Sequence, residues 1–140
     1  MATVIRPEIS EKNKYYIDKH RYYELKHFCL QYKEWKKCYE LCNDSIIFAS
    51  NLEHAPSGCC GHSDLTAKYA MRCVEYAKRI HIIEKAAMEA DKDLYPYVLK
   101  AVTEGLSYTY LKTKLEIPCG KDMYYDRYRK FFWLLSEFRG

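Results

Sequence analysis

Three groups of residues in this 140-residue chain have types and spacings that could do chemistry. The first is a set of cations and one phenol flanking a short breaker segment at 116–120, which contains Pro118 and Gly120. Lys112 and Lys114 precede it, and Lys121, Tyr125, Arg127 and Arg129 follow it at helical spacing. Helix–turn–helix DNA binding needs such an arrangement: the second helix enters the major groove, and cations around it hold phosphates. On that reading Lys121, Tyr125 and Arg129 face the bases or the adjacent backbone, and Lys112, Lys114 and Arg127 contact phosphates. A plain corner of two helices with a solvated outer face competes with it. Asp122 and Asp126 weaken the positive field that a groove helix requires.

The second group is His54, Cys59, Cys60 and His62, four soft or borderline metal ligands within nine residues. Adjacent cysteines rarely both reach one tetrahedral ion, and structural zinc sites draw on separated pairs, so a loop of unpaired thiols is the favoured reading. No metal or other cofactor is expected. The third group is aromatic: 15 tyrosines, several as near neighbours, so that in a helix one of each pair points away from the core stripe. Tyrosine and tryptophan are enriched at interfaces, which makes Tyr22, Tyr23 and Trp133 the candidate partner contacts.

Catalytic signatures are missing. The sequence has no Gly-rich phosphate loop, no paired carboxylate motif, no nucleophile elbow and no HExxH pattern, so an enzyme is not expected. Seven cysteines, an odd number without an export signal, argue for reduced thiols in a cytoplasmic protein. The longest apolar runs fall far short of the roughly 18 residues that cross a bilayer. The formal net charge of +4 permits nucleic-acid binding without demanding it.

The elements that must position these residues read as helices throughout. Leu25, Phe28, Tyr32, Trp35, Tyr39, Cys42, Ile46 and Ala49 follow steps of three and four, giving helix over about 17–49. The stripe never loses phase, so it leaves open whether this is one rod or two. Pro56, Gly58 and Gly61 mark a loop. A helix over 64–89, about 40 Å long at 1.5 Å per residue, comes next. After it come shorter helices over 91–103, with Pro96 near its start, then 107–115 and 121–138. In the last helix Tyr124, Tyr128, Phe131, Leu135 and Phe138 form the inward stripe. Trp133 lies about 180° away and would need a partner surface.

The segment EADKDLYPYVLKAVTEGLSYTYLKTKLEIPCGKDMYYDRYRKFFWLLSEFR resembles the tail of RinA/ArpU-like late-gene transcriptional activators of Gram-positive prophages. Glu89, Ala90, Asp91, Tyr95, Thr103, Gly105, the Ile117-Pro118-Cys119 turn, Tyr125, Arg127, Arg129, Lys130, Phe131 and Phe132 carry the resemblance, which covers about 50 residues. It implies a sigma-region-4-like helix–turn–helix, phage origin and a bacterial host cell. The stretch from Tyr22 to Trp35 is similar to the same group and implies a helix break, with one helix ending near Gln31 and the next starting near Lys33.

These readings combine into an all-α helical bundle with five or six helices and a C-terminal trihelical helix–turn–helix-like unit. An N-terminal helical pair and loop over 1–61 and a central helix over 62–90 would form the bundle, with the helix–turn–helix unit at 91–140, all in one compact domain. Long bundle helices favour a homodimer along the aromatic stripe. The leading expectation is a phage-encoded transcriptional regulator that binds double-stranded DNA and works with RNA polymerase. The competing one is an anti-defence, anti-CRISPR-like protein that inhibits a host defence nuclease through its exposed aromatics.

Overall fold

A computed structural model describes residues 13–52 and 62–140. Among these residues there are six helices and no strand: α1 Lys19–Leu30, α2 Tyr32–Leu52, α3 His62–Ala90, α4 Tyr95–Glu104, α5 Tyr108–Lys114 and α6 Lys121–Arg139. The fold is all-α, as the periodicity requires. No helix of the described residues is long and apolar enough to cross a membrane.

The apolar stripe over 25–49 is interrupted at Gln31, between α1 and α2. The Gln31 amide turns back to the carbonyls of Cys29 and Phe28 and closes α1 with a tightened last turn. Later boundaries have local causes. Asp18 caps α1 by accepting from the His20 amide, Pro96 sits in the first turn of α4, and Ser107 caps α5 by accepting from Tyr110. Gly105 ends α4 with φ 70, a left-handed conformation that costs any residue with a Cβ.

The chain divides into two compact units, and the division is not the one expected at 61 and 90: one unit comprises residues up to Gln31 and Ile82–Gly140, the other Tyr32–His81. The expected N-terminal helical pair is therefore divided. Its first helix, α1, packs on α4 and α6, because its apolar face finds aromatic partners there. Tyr22 meets the edge of Phe132 at 5.0 Å between ring centres, and its hydroxyl hydrogen-bonds that of Tyr128 at 2.8 Å. Leu25 and Cys29 are shut off from solvent one turn along, as are Ile83, Val98, Phe131 and Leu135. A polar seam backs this packing: Arg21 donates to the Ser136 hydroxyl and carbonyl, and Arg139 pairs with Glu24 at 2.9 Å while lying over the Phe28 ring.

The second unit is formed by α2 and residues 62–81 of α3. Tyr32, Trp35 and Cys73 are its buried apolar side chains among the described residues. The Arg79 guanidinium lies 5.3 Å from the Trp35 ring centre, and the Cys73 thiol donates a long contact of 3.9 Å to the Tyr39 carbonyl. Burial raises Cys73 above the ordinary thiol range, with the Cys42 thiol beside it adding to the shift. Cys38 and Cys42 are half-buried and reduced.

Candidate nucleic-acid interface

Three helices, α4 to α6, occupy the segment where a trihelical unit is expected, within a larger unit that also holds α1 and the end of α3, and their joints explain how α5 and α6 are held. The Leu111 carbonyl accepts from both the Leu115 and Ile117 amides at 3.2 and 3.1 Å, which folds the chain sharply after α5. Glu116 takes a positive φ of 52 in this turn, where a Cβ is disfavoured. Ile117 then drops into the core, and the Tyr108 hydroxyl donates to the Cys119 carbonyl at 2.8 Å. The turn is thus pinned from both ends, and α6 begins at a fixed point.

Its inner face is locked by Tyr124, Phe131, Phe132 and Leu135, all buried. Phe132 was not part of the expected stripe. At 100° per residue it lies beside Tyr128, and α1 closes over it, which a one-sided stripe does not anticipate. Tyr128 is raised well above the ordinary phenol range, first by burial and then by the neighbouring Tyr22.

Lys112 and Lys114 are exposed in the last turn of α5, and Lys121 is exposed as the first residue of α6. Those three cations therefore cluster in sequence around one turn and face solvent. Gly120, the N-cap of α6, supplies no side-chain acceptor, so the first-turn amides of α6 are not satisfied by a capping side chain. Tyr125 is half-buried, its ring 6.2 Å from that of Tyr108 and 5.2 Å from that of Tyr124. Burial raises its hydroxyl, with Tyr108 adding to the effect. Arg129 is half-buried further along the helix.

Arg127, expected on phosphate, has another task. Its Nε donates to Asp91 at 3.0 Å and its Nη1 to Asp126 at 3.2 Å. Asp91 follows directly on α3 and also accepts from the Asp93 and Leu94 amides. Desolvation would push the Asp91 carboxyl up, but those two amides and the Arg127 guanidinium outweigh it and hold the group below the usual carboxylate range. The sequence offered Glu89, Ala90 and Asp91 only as a resemblance. The structure gives Asp91 the physical role of fixing the α3–α4 joint onto α6.

The aromatic contacts expected at a partner interface are used within the chain. Tyr22 is only 7% exposed, and Tyr23 packs beside it at 5.6 Å between ring centres. Trp133 is half-buried, with Tyr15 of the same chain 5.9 Å from it. An Asx turn explains the cover: the Asn13 side chain accepts from the Tyr15 amide at 2.9 Å, which sets the segment before α1 against the outer face of α6. His54, Cys59 and Cys60 lie outside the described residues, as does the side chain of His62. Among the described residues no group of three or more His, Cys, Asp or Glu side chains could hold a metal ion.

Comparison with known proteins finds no family model, no curated sequence and no solved structure that matches this chain.

Proposed function

We propose that the chain is a regulator that binds double-stranded DNA through α5, the turn and α6. The observation that carries this reading is the open N-terminus of α6. Its N-cap lacks a side-chain acceptor, and Lys112, Lys114 and Lys121 stand exposed around it. First-turn amides without a side-chain cap, the positive end of the helix dipole and the three nearby ammonium groups, against the single carboxylate of Asp122 in that turn, suit a phosphate, which anchors a groove helix before any base is read. Lys121 and Tyr125 then lie on the first two turns, which reach base edges in this docking mode. The resemblance to RinA/ArpU-like activators supports a promoter of phage origin as the duplex and RNA polymerase as the second partner. The test is salt-dependent retention of promoter DNA by the purified protein.

A second reading keeps one specific observation in its favour. In the α2 unit Leu41 is 67% exposed and Met71 70% exposed, with Ile47 and Val74 about half exposed. Several largely exposed apolar side chains on one unit are suited to covering by protein. A homodimer contact is one such cover, and a host protein such as a defence nuclease is the other. Sedimentation over a range of concentrations separates them: a concentration-dependent dimer supports self-association, and a strict monomer leaves the host protein.

A further inference from the structure

The first unit contains a feature that the DNA reading meets only at Tyr125, a cavity of about 200 Å³ among α1, α4, α5 and α6. Six rings line it: Tyr22, Tyr108, Tyr124, Tyr125, Tyr128 and Phe132. Some pairs are set at steep angles, 73° between Tyr22 and Phe132 and 67° between Tyr128 and Phe132, and others are shallower, 33° between Tyr108 and Tyr124, so the walls offer both ring faces and ring edges. Such walls suit a flat aromatic guest, which can stack on one ring and meet the edge of another. The rest of the wall is mostly apolar: Leu30 and Leu106 with the small Ala101, Val102 and Gly105, and one hydroxyl, Ser107.

The polar groups of the cavity are one-sided in sign. Among the described residues Lys26 is the single charged one that lines it, and no carboxylate does. The phenols are hydrogen-bond donors held protonated: burial raises Tyr22, Tyr124, Tyr125 and Tyr128 above the ordinary phenol range. In the Tyr22–Tyr128 pair either hydroxyl can donate to the other, and whichever accepts keeps its own proton to give elsewhere. An ammonium together with neutral phenol donors, in a setting without competing anions, favours a guest that carries one negative charge.

We propose that this cavity is a binding site for a small planar aromatic monoanion, of the aryl carboxylate class. Its volume lies below the roughly 300 Å³ at which pockets for drug-sized ligands begin. That limits the guest to a single ring with a short acidic arm. The acid end meets Lys26 on α1, and the ring enters among Tyr124, Tyr128 and Phe132. Because Tyr124 and Tyr125 belong to the first turns of α6, an occupant touches the same segment that carries Lys121. The site stands on its own observations and does not depend on the chain binding DNA.

The probe is phenylacetate, followed by amide and tyrosine-ring chemical shifts, with phenylacetamide as its uncharged counterpart. Saturable shifts are expected at Leu30, Gly105 and Tyr125, in the millimolar range or tighter for a ligand of this size. The amide is expected to bind about tenfold more weakly, one charge-assisted contact being lost. Lys26→Met keeps the length of the side chain and should erase that difference, while Tyr125→Leu should weaken both ligands. Absence of saturation, shifts that map away from the cavity, or equal binding of acid and amide to the parent protein would each overturn the proposal.

Discussion

The unit built from α1, the end of α3 and α4–α6 closes fully over Leu25, Ile83, Val98, Phe131 and Leu135 while leaving Leu30, Met88 and Met123 about half exposed, whereas the unit of α2 and residues 62–81 fully encloses none of its described side chains and leaves Leu41 and Met71 about two-thirds exposed. Both arise from the same three-four apolar spacing. The difference lies in how many helices converge. In the first unit α6 is covered by α1 and α4, so residues on two flanks of one helix become interior. In the second, the described residues form two helical segments, and Tyr32, Trp35 and Cys73 are the apolar side chains buried among them. Helical periodicity therefore specifies helices in both units, but a core arises only where a third element arrives.

Truncation of the two interiors should give the largest contrast. Phe131→Ala is expected to cost about 3 to 5 kcal/mol of unfolding free energy, because it opens a cavity in a fully enclosed core. Trp35→Ala is expected to cost less, about 3 kcal/mol at the lower end of the range for such truncations, because Trp35 keeps 7% exposure where Phe131 has none. Urea denaturation measures both, and equal losses would break the distinction between the units.

Asp91 sharpens it next. Asp91→Ala removes the Arg127 pairing and two backbone contacts at the α3–α4 joint, and should destabilise by about 1 to 3 kcal/mol. The carboxyl is held below its ordinary range in the folded protein. Its contribution is therefore present above the unfolded value and is lost as pH falls below about 4. A stability profile that stays flat across that acid range in the parent protein would remove Asp91 from the account.

The Tyr22 and Tyr128 hydroxyls test the same unit from the alkaline side. Tyr22→Phe should cost about 1 kcal/mol. Burial raises both phenols in the folded protein, most strongly Tyr128, so their stabilisation is full below the unfolded phenol value and fades as pH rises above about 10. Spectrophotometric titration should show a class of tyrosines that ionises only on unfolding. The smallest effect belongs to the other unit: Leu41→Lys and Met71→Lys should each stay within about 0.5 kcal/mol. Larger losses would mean that these side chains are covered in solution.

Much of the C-terminal architecture is legible in the sequence because its boundaries have local causes. Pro96, Gly105, Ser107 and Gly120 each act within a turn of themselves, and each sits where its backbone preference places it. The break at Gln31 is not legible from periodicity, since Leu25, Phe28, Tyr32 and Trp35 keep their phase through it. The division of the helices between units depends on contacts between residues more than 100 positions apart, as in Tyr22 with Tyr128, and no local pattern records those. For the candidate site the exposed lysines of α5 and α6 could be read from helical spacing. The engagement of Arg127 by Asp91 and the cover of Trp133 by Tyr15 could not, because each partner lies on a different segment.

Binding of a fluorescent duplex as salt is raised from about 50 to 300 mM tests the central claim, DNA contact through α5 and α6, most directly. The parent protein is compared with a variant carrying Lys112→Gln, Lys114→Gln and Lys121→Gln, with circular dichroism verifying that the variant keeps its helices. The account predicts that affinity falls steeply with salt for the parent, and that the log–log slope becomes shallower by about 0.9 for each phosphate contact removed. Binding without salt dependence, or equal slopes for parent and variant, would contradict it.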